Sequence, residues 1–471
     1  MSPTAEEFDL VVVGGGPGGY AAALYASGAG MKVALVEQQR VGGTCLHRGC
    51  IPAKELLETA TVARTVRSAA GFGVEADGAD SLRINLDTTQ ARKQQVIEGL
   101  VSGLESLLKG KKVTVVPGTG RLVDGPGRLV RVSDGTELRG RNVIIATGSV
   151  PRALPLPGFA FDGTRILSSD HVLGITAVPA RTAVIGGGAI GCEFASFLHD
   201  VGSRVTILEA LPQLLNGVDA QVAQVVARSF QKRGIEAHTG VQIVGAEHAD
   251  GGITINFEGK QGPTSIVVDQ VIVSVGRRPR SEGIGLLESG VLVDERGFVD
   301  VDAHLRTSVP GVYAIGDVVA TPQLAHVAFA EAIVAVRDML GEAVAPIEYS
   351  KVPWGIYCHP EVAFCGLTEA AATAAGHEVT TSVHRFLGNG RAKIIGETDG
   401  LVKIVADKHT GVLLGVHICG PWATELIAEG YLSVNWEATG ADLGALIHAH
   451  PTLSELFGES ALALTGRSLH G

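Results

Sequence analysis

What most constrains this 471-residue chain is a unit that occurs twice. Phe8 to Val13 reads as an apolar strand, followed by Gly14-Gly15-Gly16-Pro17-Gly18-Gly19, an Ala-rich helix from Tyr20, and a second strand, Lys32 to Val36, ending in Glu37. Further along, Thr182 to Ile185 leads into Gly186-Gly187-Gly188-Ala189-Ile190-Gly191, and Arg204 to Leu208 ends in Glu209. First glycine and acid are 23 residues apart in both copies (37 − 14 and 209 − 186). Glycines so spaced between strand and helix allow a tight turn and close backbone approach to a pyrophosphate at a helix N-terminus, while the acid meets ribose hydroxyls. A merely structural glycine loop does not explain strand, helix and acid in one register. Two dinucleotides are therefore expected.

The stretches between these units read as follows. Leu104 to Lys112 is a helix end, and Val113 to Gly120 a strand leading to a turn. Val143 to Ser149 is a buried strand, followed by a linker containing Pro151, Pro155 and Pro157. Val271 to Val275 is a strand and Gly276-Arg277-Arg278-Pro279 a turn; Val309 to Asp317 is a strand that delivers an acid. Gln323 to His326 begin a helix, and from Tyr349 strands alternate with two helices.

Two cysteines follow the first unit directly, in Gly42-Gly43-Thr44-Cys45-Leu46-His47-Arg48-Gly49-Cys50-Ile51-Pro52-Ala53-Lys54. We read Cys45 and Cys50 as a redox-active pair. In a regular helix, rising about 1.5 Å per residue, their Cα atoms would be more than roughly 7 Å apart, beyond disulfide reach. The helix must be distorted, and Gly49 and Pro52 are residue types that permit it. Two buried thiols are the plain alternative. A zinc half-site lacks a second Cys/His pair nearby, and no metal is expected. Cys192, Cys358, Cys365 and Cys419 read as small buried residues.

The net charge of −11 argues against nucleic acid or an anionic membrane surface as partner. The uncharged run Leu10 to Met31 is long enough to span a bilayer, but its seven glycines and Pro17 rule against that. The first residues have no basic or apolar leader character, so a cytoplasmic protein is expected, where a close cysteine pair points to catalysis.

The Gly-Gly-Thr-Cys-x4-Cys-Ile-Pro-x-Lys run resembles the flavin-dependent pyridine nucleotide-disulfide oxidoreductases, and the resemblance covers nearly the whole chain. It is strongest for members that oxidise dihydrolipoyl groups. His47, Arg48 and Ala53 depart from the residues often found there. The resemblance implies an α/β fold of two Rossmann-like dinucleotide-binding domains, for FAD and NAD, plus an α+β C-terminal dimerisation domain. The FAD domain would be 1–150 and 280–348, the NAD domain 151–279, and the interface domain 349–471. FAD would be held by Gly14, Gly16, Gly19, Glu37, Lys54, Gly120, Thr147, Gly148, Ser149, Asp317, Gln323, Leu324, Ala325 and His326. NAD would be held by Gly186, Gly188, Ala189, Ile190, Gly191, Glu193, Glu209, Ile243 and Gly276.

The same resemblance makes Lys54 and Glu193 an ion pair beside the flavin. It also makes His450, in Ile447-His448-Ala449-His450-Pro451-Thr452-Leu453-Ser454-Glu455, a base steadied by Glu455 and supported by His448. The working unit would be a homodimer with shared sites, receiving a lipoyl group carried on another chain, the lipoyl domain of an acyltransferase. Related reductases that use NADPH, mercuric reductases with a C-terminal cysteine pair absent here, and a flavin-binding sensor without turnover are the competing readings.

Overall fold

The computed structural model describes residues 6–75, 82–260 and 262–470. These form two compact units, one of Met1–Leu56, Asp87–Arg152 and Gly276–Tyr349, the other of Leu57–Leu86, Ala153–Val275 and Ser350–Gly471.

In the first unit a seven-stranded sheet has the order Thr114–Pro117, Val33–Glu37, Glu6–Val13, Glu137–Ile145, Leu129–Val132, Gly120–Asp124. Strand Glu6–Val13 buries both faces: Val11 and Val13 enter one core, Leu10 and Val12 the other. A strand covered on both sides needs apolar residues at every position, which is why it reads as one run rather than an alternation. Glu137–Ile145 is long enough for two neighbours on one edge. Its first half pairs antiparallel with Leu129–Val132, and its second half pairs parallel with Val312–Ala314, which rejoins the sheet from far along the chain.

The second unit holds a five-stranded parallel sheet in the order Glu236–Thr239, Arg204–Glu209, Arg181–Ile185, Gln270–Val273, Ile166–Ser168. It also holds an antiparallel three-stranded sheet, Gln242–Ala249, Gly252–Gly259, Gly262–Val268, and an antiparallel five-stranded sheet near the C-terminus. The mixed α/β reading holds, with several local corrections. The first glycine helix begins at Pro17, not Tyr20, because proline is pre-set for the first helical position. The strand expected over Val113 to Gly120 is two strands, Thr114–Pro117 and Gly120–Asp124, and the acid-bearing strand is only Val312–Ala314. Pro151 is not in a free linker: Ser149–Pro151 pairs with Arg277–Pro279, a two-stranded ladder whose edges tolerate proline. Among the described residues beyond Tyr349 there are five α-helices, not two; Glu369–Ala374, Gly390–Ile395 and Gly440–Gly444 are too short to show a helical period.

No helix among the described residues is long and apolar enough to cross a membrane; the Leu10–Met31 run is divided between strand Glu6–Val13 and helix Pro17–Gly28. The remaining four cysteines are buried, as expected.

Within the second unit, helix Ala220–Arg233 is tied at both ends to the C-terminal segment. Asp219 caps its start by accepting from the Gln221 N–H at 3.0 Å, and pairs with Lys403 at 2.9 Å. Lys403, 2% exposed, also meets Glu369 at 2.6 Å. At the other end Arg233 donates to the His359 carbonyl at 2.5 Å, and Lys232 pairs with Asp399 at 3.2 Å. These links explain why residues 153–275 and 350–471 form one unit. Lys403→Met is expected to leave Asp219 as a buried uncompensated charge and cost about 3–5 kcal/mol. A lowered urea midpoint checks this; an unchanged midpoint would contradict it.

Candidate active site

Helix Gly43–Arg48 ends at Gly49, whose φ of −148° and ψ of −112° leave the helical region, and a new helix runs Cys50–Ser68. The expected distortion is therefore a complete break. It brings Cys45 and Cys50, both half-buried, into hydrogen-bonding contact. Gly49 has no room for a side chain: a Cβ there would lie 3.0 Å from the Thr44 carbonyl oxygen and 3.3 Å from Cys45 Cα. Pro52 falls in the first turn of the second helix, where a missing N–H costs nothing.

Hydrogen bonding to Cys50, then burial, then the charge of Cys50 raise the Cys45 thiol pKa, while Lys54 opposes them. Tyr20, from the first glycine helix, is pushed up to about 12 by burial and by both cysteines. The cysteine helix is packed directly on the glycine loop: the Gly42 N–H donates to the Gly15 carbonyl at 2.8 Å, and a Cβ on Gly43 would lie 2.5 Å from Gly16 Cα.

The two glycine loops are wired alike. Glu37 Oε2 accepts from the Gly15 N–H at 2.7 Å and Oε1 from the Gln39 N–H at 2.8 Å. Glu209 Oε2 accepts from the Gly187 N–H at 2.5 Å and Oε1 from the Leu211 N–H at 2.7 Å. A Cβ on Gly19 would strike the Gly14 carbonyl oxygen at 1.8 Å, and one on Gly191 the Gly186 carbonyl oxygen at 1.9 Å, so helix and turn close only with glycine. The middle glycines face space instead: nothing lies within 4 Å of a Cβ on Gly188, and the nearest atom to one on Gly16 is 3.8 Å away. The helices starting at Pro17 and at Ala189-Ile190 have no side-chain cap. Open backbone, uncapped N–H groups and a carboxylate at the strand end fit a dinucleotide at each loop.

A third cluster surrounds Asp317. Ser149 Oγ donates to Asp317 Oδ2 at 2.5 Å and accepts from Arg277 Nε at 2.7 Å, while Arg277 Nη2 donates to the Ser149 carbonyl at 3.0 Å. Thr147 Oγ1 donates to the Arg280 carbonyl at 2.7 Å, nothing lies within 4 Å of a Cβ on Gly148, and Gln323 Nε2 reaches the Asp317 carbonyl at 3.4 Å. Leu324 caps helix Ala325–Met339 without a side-chain bond, and His326 lies in its first turn. Sequence reasoning missed Arg277, which it used only as a turn residue. It also missed Glu331, fully buried, which accepts from the Gly316 N–H at 2.6 Å, Thr321 at 2.7 Å and Tyr349 at 3.0 Å. An acid in the middle of the otherwise apolar run Val327–Val336 was the available signal.

Not every expected residue faces a ligand end. A Cβ on Gly120 would point at Val13, Val36 and Val130, inside the core; Gly118, whose N–H donates to the Glu37 carbonyl at 2.9 Å, is the glycine beside the acid. Ile243 packs against the core of its own unit, while Gly276, with φ of 102°, is open. Glu193 is buried and Oε1 accepts from the Tyr357 N–H at 2.9 Å. It and Lys54 belong to different compact units.

Near the C-terminus His450 Nδ1 and Glu455 Oε1 are 2.8 Å apart, and Glu455 Oε2 accepts from the Thr452 N–H at 2.7 Å. With Nδ1–H donating to the carboxylate, Nε2 carries the lone pair a base needs. His450 is 79% exposed, available to a reactant. His448 Nε2 meets Glu429 Oε1 at 2.8 Å. No cluster of metal-binding groups occurs among the described residues.

Residues 8–332 match the family model described as pyridine nucleotide-disulphide oxidoreductase, and residues 352–461 match its dimerisation domain. The chain is 41% identical to dihydrolipoyl dehydrogenase of Bacillus subtilis, over 99% of this chain and 100% of the relative. It is 43% identical to dihydrolipoyl dehydrogenase of Thermus scotoductus, over 98% of each. Among solved structures it resembles LpdA from Mycobacterium tuberculosis, with a TM-score of 0.89 at 28% identity, covering 98% of this chain and 100% of that one. The HOCl-induced flavoprotein disulfide reductase RclA of Escherichia coli has a TM-score of 0.85 at 25% identity, covering 96% and 99%.

Burial pushes the Glu455 carboxyl up, but the Thr452 N–H and His450 outweigh it and hold it below its ordinary 4.5. Carbon NMR of Glu455 should find this low midpoint, and His450→Ala should raise it. A midpoint that ignores His450 would break the dyad.

Proposed function

The chain belongs to the pyridine nucleotide-disulphide oxidoreductase family, and on that footing we propose that it is a dihydrolipoamide dehydrogenase, oxidising dihydrolipoyl groups carried on another chain and reducing NAD+. The observation that carries this reading is the Cys45–Cys50 contact at a helix break packed on a dinucleotide loop.

FAD would lie at the first loop with Glu37, Lys54, Thr147 to Ser149, Asp317 and Gln323 to His326, in segments 1–150 and 280–348. NAD+ would lie at the second loop with Glu193, Glu209 and Gly276, in 151–279. Segment 349–471 would form the homodimer, with the two sites shared between subunits. FAD, when bound, supplies a two-electron path between the thiols and NAD+.

The chain's own groups act on sulfur. His450 of the partner subunit takes the proton of one dihydrolipoyl thiol at Nε2, and Glu455 steadies the imidazolium. The thiolate attacks Cys45 of the oxidised pair, forming a mixed disulfide as the Cys45–Cys50 bond breaks and Cys50 leaves as a thiolate. The second lipoyl thiol then attacks the mixed disulfide, its proton passing to the Cys45 sulfur that it displaces, closes the lipoyl disulfide and releases Cys45. Two electrons have passed from substrate to the cysteine pair. Lys54, whose charge favours a thiolate at Cys45, eases that release.

Cys45→Ser and Cys50→Ser are each expected to abolish dihydrolipoamide oxidation while retaining flavin, since glycine loop, Glu37 and Asp317 are untouched. Activity assays with flavin spectra test this; retained turnover in either variant would overturn the function.

The strand-end acid of the second loop favours NAD over NADP. A carboxylate can accept from both ribose hydroxyls but repels a 2′-phosphate. No Lys or Arg occurs from Glu209 to Ala227, and Arg204 is at the opposite end of strand Arg204–Glu209. We expect kcat/KM for NAD+ to exceed that for NADP+ by about tenfold to a hundredfold, or about 1.4–2.8 kcal/mol. Equal values at saturating dihydrolipoamide would reject this reading.

A further inference from the structure

Helix Ala189–Asp200 starts at the second glycine loop and carries Glu193, Ser196 and Asp200 at intervals of three and four, so the three side chains share one face. They are 6%, 0% and 5% exposed. Along that face the chain leaving strand Trp354–Ile356 is gripped by its backbone. The Tyr357 N–H donates to Glu193 Oε1 at 2.9 Å, and the His359 N–H to Ser196 Oγ at 3.0 Å. Both bonds join one short segment to one helix face, so one grip reinforces the other.

Arg233 closes the arrangement. Its guanidinium donates to the His359 carbonyl at 2.5 Å, to Ser196 Oγ at 3.3 Å and to Asp200 Oδ1 at 2.6 Å. Asp200 is in turn held by Arg64, and its carbonyl accepts from Arg67 at 2.6 Å. The Tyr357 amide that orients Glu193 is therefore fixed two residues further on, at His359, by a hydroxyl and a guanidinium that are themselves anchored.

Resting on the assignment of Glu193 to the nicotinamide side of the reaction, we propose that Ser196 and Arg233 are positioning residues for Glu193, acting through the Tyr357–His359 backbone. They set the direction of its carboxylate and hence the efficiency of exchange with NAD(H), leaving the thiol chemistry alone.

The test uses the full-length, FAD-loaded dimer. Ser196→Ala removes the hydroxyl without adding volume. Arg233→Lys keeps a charge beside Asp200 but cannot serve three acceptors in one plane. Stopped-flow flavin reduction is followed with NADH and, separately, with dihydrolipoamide. Ser196→Ala should slow reduction by NADH by about tenfold to a hundredfold, Arg233→Lys should slow it less, and reduction by dihydrolipoamide should keep its wild-type rate in both. A parallel fall in both half-reactions, or an unchanged rate with NADH, would overturn the inference. Glu193→Gln, run alongside, separates the two levels. If it slows the NADH reaction while Ser196→Ala does not, positioning alone is wrong; if it too is without effect, the role given to Glu193 fails and the inference falls with it.

Discussion

A strand-end carboxylate that accepts from its own glycine loop is the interaction on which the rest of this structure depends. Glu37 and Glu209 are almost wholly buried, and each spends one oxygen on the loop and the other on the amide two residues beyond itself. Hydrogen bonds to a charged group contribute about 1.5–3 kcal/mol each, so the pair locks strand, loop and outgoing chain together. The chain beyond the acid then returns to the loop in both copies: Gly42 N–H donates to the Gly15 carbonyl, and Leu215 N–H to the Gly187 carbonyl, each at 2.8 Å.

From that shared wiring the copies diverge. In the first, the returning residues are Gly42 and Gly43, small enough for a helix carrying Cys45 to lie against Gly16. In the second, Leu214 covers Gly187, close to where a Cβ would stand, and no reactive side chain is delivered. One architecture thus places a thiol pair at one glycine loop and none at the other, and side-chain size at the return point separates the two copies.

The helix break at Gly49 converts sequence proximity into chemistry. Five residues along an intact helix would hold two thiols too far apart to react; the break turns the same spacing into contact, and the second helix starts at once with Cys50 and Lys54 in its first turns. The His450–Glu455 pair is built with equal economy: Glu455, at the start of its own helix, orients His450 five residues earlier while the Thr452 amide orients Glu455.

By itself the sequence determined the features whose partners are near in the chain. Glycine spacing and strand-end acids marked the two glycine-loop units and Gly49 permitted the break between the cysteines, because strand, turn and helix there are successive elements of the chain, while the motif from His450 to Glu455 pointed to its dyad through resemblance. Only the tertiary structure decided the rest. Arg277 reaches Ser149, Glu331 receives Tyr349, Lys403 meets Asp219, and Glu193 accepts the Tyr357 amide; except for the Glu331 bond, these join residues more than a hundred positions apart. Local propensity carries no information about such pairs, since what selects them is the desolvation cost of a buried polar group with no partner. Gly118 and Gly120 make the same point at close range. Two glycines two residues apart look alike in the sequence, and only the packing of Val13, Val36 and Val130 turns one into the core and leaves the other beside Glu37.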